Sequence, residues 1–440
     1  MNLFDSLLSR FSPPVKEPDI KFGRYSDSYK SEKQHQSLDE ATKQFEGGNY
    51  LEATRDFLMY LRDEQEDNVH FEEKNGQIDF ELLQGSKRII GTATQQSIQA
   101  QTTLAKAKSL QVSMMRKLME INYNLRYCRY ALNEDTIYLK FNTGALDGSP
   151  QKLYFALKEM AVNADRQDDV LLNEFSTLEP IDHEHIKAMP DKEKMVKYRY
   201  FQQWIQNTLQ EVRRLDPNIF SRGISYLLLN LAYKIDYLLV PHGTVMEAIE
   251  RIHLLYFNEN GQEQVVEKNA KMMVEFEKLL VLPADKLYRQ LYYTQTTFGI
   301  TSFATPAQIS DIINELLQDA KEFKRRNQLT LAHGVLEYII HYCMFHYGMP
   351  NNIKALLHLG TRVLNADFFN DLDFPIHYYH PPTKNFDKTA IKRYIVDISK
   401  INKKEYPFFD FALRNLDYRS PADFVYSLLI EIANSNYKDR

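Results

Sequence analysis

Between Val69 and Ala93 two tight-turn signals agree with one hydrophobic pattern, and that agreement restricts the fold more than any other stretch of the chain. Asn75-Gly76 is a type I′ turn signal, because both central positions of such a turn need positive φ. Read as a two-residue loop, it pairs Lys74 with Gln77, Phe71 with Phe80 and Val69 with Leu82. The apolar residues then share one face, and His70, Glu72, Asp79 and Glu81 share the other. Gly85-Ser86 supplies a second turn, of the type II′ sort, which pairs Leu82 with Ile89, Phe80 with Gly91 and Ile78 with Ala93 on that same apolar face. A one-residue slip in either pairing would turn every apolar side chain toward water, so turn chemistry and register check one another. The chain carries an antiparallel sheet.

Around this nucleus the reading continues in both directions. Ser37 and Glu40 read as a capping box, predicting helices over 38–46 and 51–62 that fold as a hairpin about Gly47-Gly48-Asn49. The phrase Ala41, Phe45, Gly48, Tyr50, Ala53 resembles one tetratricopeptide repeat, with no second copy at that period. Ile98, Ala100, Thr102 and Leu104 alternate, which favours a further strand. A helix over 110–125 carries Met114, Leu118 and Ile121 on one side. A third hairpin closes on Glu134-Asp135, with Cys128, Tyr130 and Leu132 facing Phe141, Leu139 and Ile137. It sets Arg129 against Lys140, a like-charge pair that calls for an acidic neighbour. Ser149-Pro150 then starts a helix with Leu153, Leu157 and Met160 inward.

From Pro190 onward the pattern is helical. Roughly ten helices are divided at Pro217, Pro241, Pro283, Thr305, Pro350, Pro381-Pro382 and Pro407. Thr305-Pro306-Ala307-Gln308 and Ser420-Pro421-Ala422-Asp423 are strong helix starts. The fold class expected is therefore α+β: a disordered tail over 1–36, an α+β domain with a small antiparallel sheet over 37–180, a linker over 181–194 and an all-helical domain over 195–440. The tail holds one apolar patch, Leu3, Phe4, Leu7, Leu8 and Phe11.

The order of elements across 38–178 resembles the YbjN-like and type III secretion chaperone fold. So does the wording Met114-Met115-Arg116-Lys117-Leu118-Met119-Glu120-Ile121-Asn122 leading into Arg126-Tyr127-Cys128-Arg129-Tyr130-Ala131-Leu132. The likeness runs on through Ile137-Tyr138-Leu139-Lys140-Phe141 and the helix holding Asp165 and Asp168. The resemblance implies a compact module that binds other polypeptides, often as a homodimer, and performs no chemistry. The 250 or so helical residues appended here are foreign to the small secretion chaperones.

Composition narrows the classes further. At 440 residues, with 44% hydrophobic and 26% charged residues, the chain is an ordinary globular protein of more than one domain. Its net charge of 54 − 59 = −5 is spread along the chain, which argues against a nucleic-acid partner. Cys128 and Cys343 stand alone, which suits a reducing compartment, and the opening Met1–Ser6 lacks the features of a signal peptide. The apolar stretch from Ile219 to Val240 is broken by Arg222, Lys234 and Asp236, so it reads as a buried helix and not a membrane span. The expected location is cytoplasmic.

Candidate chemistry is sparse. Neither a phosphate-binding glycine loop nor a nucleophile elbow occurs. His341 and His346 are five apart on a predicted helix, and zinc would need His333 or Cys343 as a third ligand, although Glu337 and His341 do share a side. The surrounding Val335–Tyr347 reads as core. Asp182-His183-Glu184-His185 has ion-binding side chains but the composition of a solvated linker, and His377–Pro382 is aromatic enough for a groove but reads as a loop pinned to the helical domain. The basic runs Lys321–Arg326 and Lys400–Lys404 lie at predicted helix ends, where cations suit the helix dipole. No catalytic, cofactor-binding or metal-ligating residue is assigned. The function expected is a non-enzymatic, chaperone-like or adaptor protein that binds another protein or its own copy. The alternatives are a ligand-sensing regulator with a pocket in the helical domain, and an enzyme with a dispersed site.

Overall fold

The computed structural model describes residues 17–23, 29–64, 66–181, 185–258, 263–299, 301–401 and 409–435. The first half runs α1 (Glu32–Glu46), α2 (Tyr50–Leu61), β1 (Val69–Lys74), β2 (Gln77–Gln84), β3 (Lys87–Ala93), β4 (Ser97–Ala107), α3 (Val112–Asn124), β5 (Arg129–Asn133), β6 (Thr136–Gly144), α4 (Pro150–Glu174) and β7 (Leu178–Pro180). After the two-residue β8 (Lys187–Ala188) come α5 (Asp191–Val212), α6 (Ser221–Leu239), α7 (Gly243–Phe257), α8 (Val265–Leu280), α9 (Ala284–Tyr288), β9 (Tyr292–Tyr293) and β10 (Ser302–Phe303). The chain ends with α10 (Pro306–Arg325), α11 (Leu329–His346), β11 (Tyr347–Gly348), α12 (Asn351–Leu364), α13 (Ala366–Asp371), β12 (Tyr379–His380), β13 (Asn385–Phe386), α14 (Lys388–Ile401) and α15 (Pro421–Asn434). The protein is α+β, with an antiparallel sheet in the first half and a helical second half whose described strands are all short pairs.

The sheet has the order β1-β2-β3-β4-β6-β5, and β7 joins the far end of β4. Its register is the one that the turns dictate: Phe71 faces Phe80, Leu82 faces Ile89, and Tyr130 faces Leu139. Asn75 and Gly76 both take positive φ, as a type I′ turn requires. The Phe80–Gly91 pair has a steric reason, since a Cβ on Gly91 would lie 2.1 Å from Phe80 Cζ. The ring occupies the space that a larger residue would need. Helix α4 crosses the inner face of the sheet, burying Leu153, Ala156, Leu157, Met160, Ala161 and Ala164 at helical spacing.

Several expectations need correction. The first helix starts at Glu32, capped by Ser31, whose side chain and that of Gln34 form the capping box; Ser37 lies inside the helix and bonds back to Lys33 O. The first turns of α1 are polar on every side, so apolar periodicity gives no signal before Leu38. Order also reaches into the supposed tail. Glu17 pairs with Arg362 at 2.8 Å, Phe22 packs among Tyr237, His358 and Phe369, and Tyr29 stacks on Phe303. The patch from Leu3 to Phe11 lies outside the described residues. Part of the supposed linker is structured too, because β8 pairs with β9 and α5 already begins at Asp191. Arg129, finally, has no acidic partner among the described residues. Its guanidinium donates to the carbonyls of Leu125 and Cys128, while Lys140 lies over the Tyr138 ring.

Each half has its own apolar core, but they are joined by a loop that crosses over. Residues 294–298 of the helical half enter the first half, where the Thr297 and Phe298 amides both donate to Gln84 Oε1. The Thr297 hydroxyl donates to Leu83 O at 2.8 Å, the Gly85 amide donates to Gln295 O, and Asn68 Nδ2 donates to Thr296 O. The Phe298 ring then sits in the sheet domain's core with its edge toward Tyr154.

A second fixing point is Glu159 on α4, which accepts the backbone amides of Arg126, Tyr127 and Cys128 at 2.8 Å each. One carboxylate thus shapes the entry to β5. Glu159→Gln replaces one of the two acceptor oxygens with a donor facing a donor. It is expected to lower stability by about 1–2 kcal/mol, read as a shift in the urea midpoint with the slope unchanged.

Candidate functional site

The histidines that the sequence offers as metal ligands do not converge. His341 is fully buried, with Nδ1 2.8 Å from Asn230 Oδ1 and Nε2 3.4 Å from the Thr361 hydroxyl. Glu337 is on the same network, accepting from Asn230, Asn365 and Lys234. His346 sits instead beside the Tyr233 hydroxyl, which also meets His253 Nδ1 at 2.9 Å. Cys343 is buried, which pushes its thiol up to about 12, and the exposed His333 lies near Lys324 and Asp423. Among the described residues no three His, Cys, Asp or Glu side chains gather as metal ligands would. Asp182, His183 and Glu184 lie outside the described residues, and His185 reaches Gly85 O.

The aromatic loop and the basic runs make structural contacts. Tyr378 is buried under the Arg362 guanidinium, 4.5 Å from its ring centre, and Arg362 also donates to Ile376 O. That pins His377–Pro382 to the helical half. Lys324 pairs with Asp423, and Arg325 and Arg326 both pair with Glu322 at the end of α10. Lys400 pairs with Asp397, and 402–404 lie outside the described residues.

The edges of the sheet, where a further strand could add, are blunted. At β5 the Asn122 side chain accepts from the Tyr130 amide at 2.6 Å and donates to its carbonyl at 3.2 Å, imitating a strand. At β1 the exposed residues are Glu72, Glu73 and Lys74, and charges discourage strand addition.

Helix α3 is different. Met114 and Leu118 face the core, yet Val112, Met119 and Tyr123 are 69%, 70% and 91% exposed. At 100° per residue these three fall within about 40° of one another and point away from Met114 and Leu118. The helix thus has two apolar faces, and the fold buries one. Arg116 and Glu120 border the outer stripe, both exposed and neither in an ion pair among the described residues. The sequence carries this signal as a second apolar set at spacings of seven and four, beside the inward set that defines the helix.

A cleft of about 450 Å³ opens where the two halves and the N-terminal stretch meet. One face of α6 gives it Tyr233, Asp236 and Tyr237, and one face of α12 gives Asn351, Lys354, Ala355 and His358. Phe22 and Phe345 add aromatic walls, and Tyr292 stacks on His242 with ring centres 4.1 Å apart. Tyr237 Oη lies 2.8 Å from His358 Nδ1, and His358 Nε2 has no hydrogen bond among the described residues. Burial first, then Arg362 and His341, holds His358 at about 3, so its ring is neutral; burial likewise keeps the Tyr237 phenol protonated. Sequence reasoning could not assemble this site, because its walls come from segments hundreds of residues apart.

No protein family matches the sequence, and no curated protein matches it. Among the described residues no helix is long and apolar enough to cross a membrane.

Proposed function

We propose that this chain is a non-enzymatic, cytoplasmic protein-binding factor whose α/β half docks a second copy of itself through the outer stripe of α3. The observation that carries the reading is the exposure of Val112, Met119 and Tyr123 on a helix whose opposite face is already buried. Its borders favour a self-complementary pairing. In an antiparallel pair of α3 helices centred near Leu118, Arg116 of one copy meets Glu120 of the other twice, once on each side of the two-fold axis. Val112 then meets the other Tyr123, so each large ring covers an aliphatic side chain. The resemblance of 38–178 to YbjN-like and secretion chaperones supports the same reading.

A single helix of thirteen residues contributes less than the roughly 800 Å² per partner of a standard interface, so a reversible dimer with Kd on the order of micromolar is expected. Sedimentation of the full chain should show dimers that dissociate on dilution. Met119→Glu should leave a monomer with the wild-type melting temperature. Arg116→Glu should weaken the dimer and Arg116→Glu with Glu120→Arg should restore it. A monomeric wild-type protein at about 100 μM, well above that Kd, or a dimer indifferent to Met119→Glu, would overturn the reading.

A further inference from the structure

We propose that the cleft between the halves is a binding site for a small, uncharged, planar heteroaromatic ligand of nucleobase or nucleoside size. Helix α3 contributes nothing to the cleft, so the inference stands apart from self-association. Its volume, about 450 Å³, falls within the range of small-molecule sites, and junctions between domains are where such sites gather.

The class of ligand follows from the walls. Phe22, Tyr237 and Phe345 present ring surfaces from three separate segments, which suits a flat guest that offers a π-face. His358 also lines the cleft, and its Nε2 has no hydrogen bond among the described residues. The Tyr237 hydroxyl occupies the other ring nitrogen and fixes the imidazole's position, as a binding group needs if it is to be pre-organised. Asn351 lies two turns before His358 on the same face of α12, exposed, with an amide that can both donate and accept. A guest with donors and acceptors on its rim can use both.

Charge excludes the ionic alternatives. Asp236 on α6 and Lys354 on α12 carry opposite signs, and at the rim Lys21 is already paired with Glu66 at 3.1 Å. Among the described residues that line it, the cleft has no surplus of cations to hold a phosphate or carboxylate. An uncharged base or nucleoside is favoured over its phosphorylated form.

Calorimetry of the full chain with adenosine, guanosine and uridine, and with adenosine monophosphate as the charged control, tests this. At least one nucleoside should bind at one site per chain, and the monophosphate should bind roughly tenfold more weakly than adenosine. Ala355 lines the cleft and is only partly buried, so Ala355→Trp fills the space without entering the core. That variant should abolish binding and keep the wild-type melting temperature. His358→Leu should weaken binding by roughly tenfold or more. Absence of saturable heat with all three nucleosides up to about 5 mM, binding that survives Ala355→Trp, or tighter binding of the monophosphate would each overturn the assignment.

Discussion

Replacing Phe298 with alanine is expected to destabilise the sheet domain by roughly 3–5 kcal/mol while leaving the helical core close to wild type. The ring belongs to the helical half by sequence but is 1% exposed within the other half's core, against Tyr154. Its removal leaves a cavity that neither half can readily close, because the loop behind it is held by the Gln84 and Leu83 hydrogen bonds. Against a total of about 5–15 kcal/mol for a typical domain, that loss is large. Native-state hydrogen exchange should therefore show β2 and β3 amides losing protection and α6 amides retaining it. Equal loss in both halves would mean that the chain unfolds as one unit, and a change below about 1 kcal/mol would mean that the loop merely rests on the sheet. The same reasoning bears on fragments. Residues 37–180 alone lack Phe298, so any self-association measured on that fragment mixes docking with an open core, and the full chain is the proper material for the α3 test.

The parts of the fold that are legible in the sequence are those in which partners are near one another along the chain. Asn75-Gly76 and Gly85-Ser86 fix both hairpins because a turn of two residues leaves no freedom of register, and β4 follows from alternation alone. Where an interaction spans the chain, nothing local announces it. Gln84 meets Phe298 across 214 positions and Glu17 meets Arg362 across 345, so the crossing loop and the ordered N-terminal stretch have no sequence signature. The acid expected beside Arg129 fails for a subtler reason: carbonyl oxygens and a tyrosine ring satisfy cations as well as a carboxylate does, and charge patterns do not reveal them. The cleft is illegible because its walls are equally far apart in sequence. The α3 stripe is not, since Val112, Met119 and Tyr123 obey the helical period as strictly as the buried set.

The sequence also places Glu337 and His341 on one helix face, and their surroundings lead to the second large effect. Glu337→Ala is expected to cost about 3–5 kcal/mol, because it leaves Lys234 and the amides of Asn230 and Asn365 without their common acceptor in the helical core. Burial alone would raise the Glu337 carboxyl; Lys234, His341 and the two amides outweigh it and hold the group at about 2. Burial, opposed by Glu337, lowers His341 to about 4. Both groups have folded pKa values below their unfolded ones, so both favour the native state at neutral pH and both lose that contribution on acidification. For His341 the loss begins as pH falls below its ordinary value near 6.5 and is complete near 4, amounting to about 3 kcal/mol; for Glu337 it continues from about 4.5 down to about 2. Urea titrations at pH 7.5 and 5 should therefore show a less stable protein at the lower value, and His341→Gln should flatten that dependence even where it lowers stability overall. Glu337→Gln keeps an acceptor for the amides but strands the Lys234 charge, so its cost should fall between that of wild type and alanine. Equal stability at the two pH values, or a Glu337→Ala variant within about 1 kcal/mol of wild type, would show that the network is not holding the helical core together.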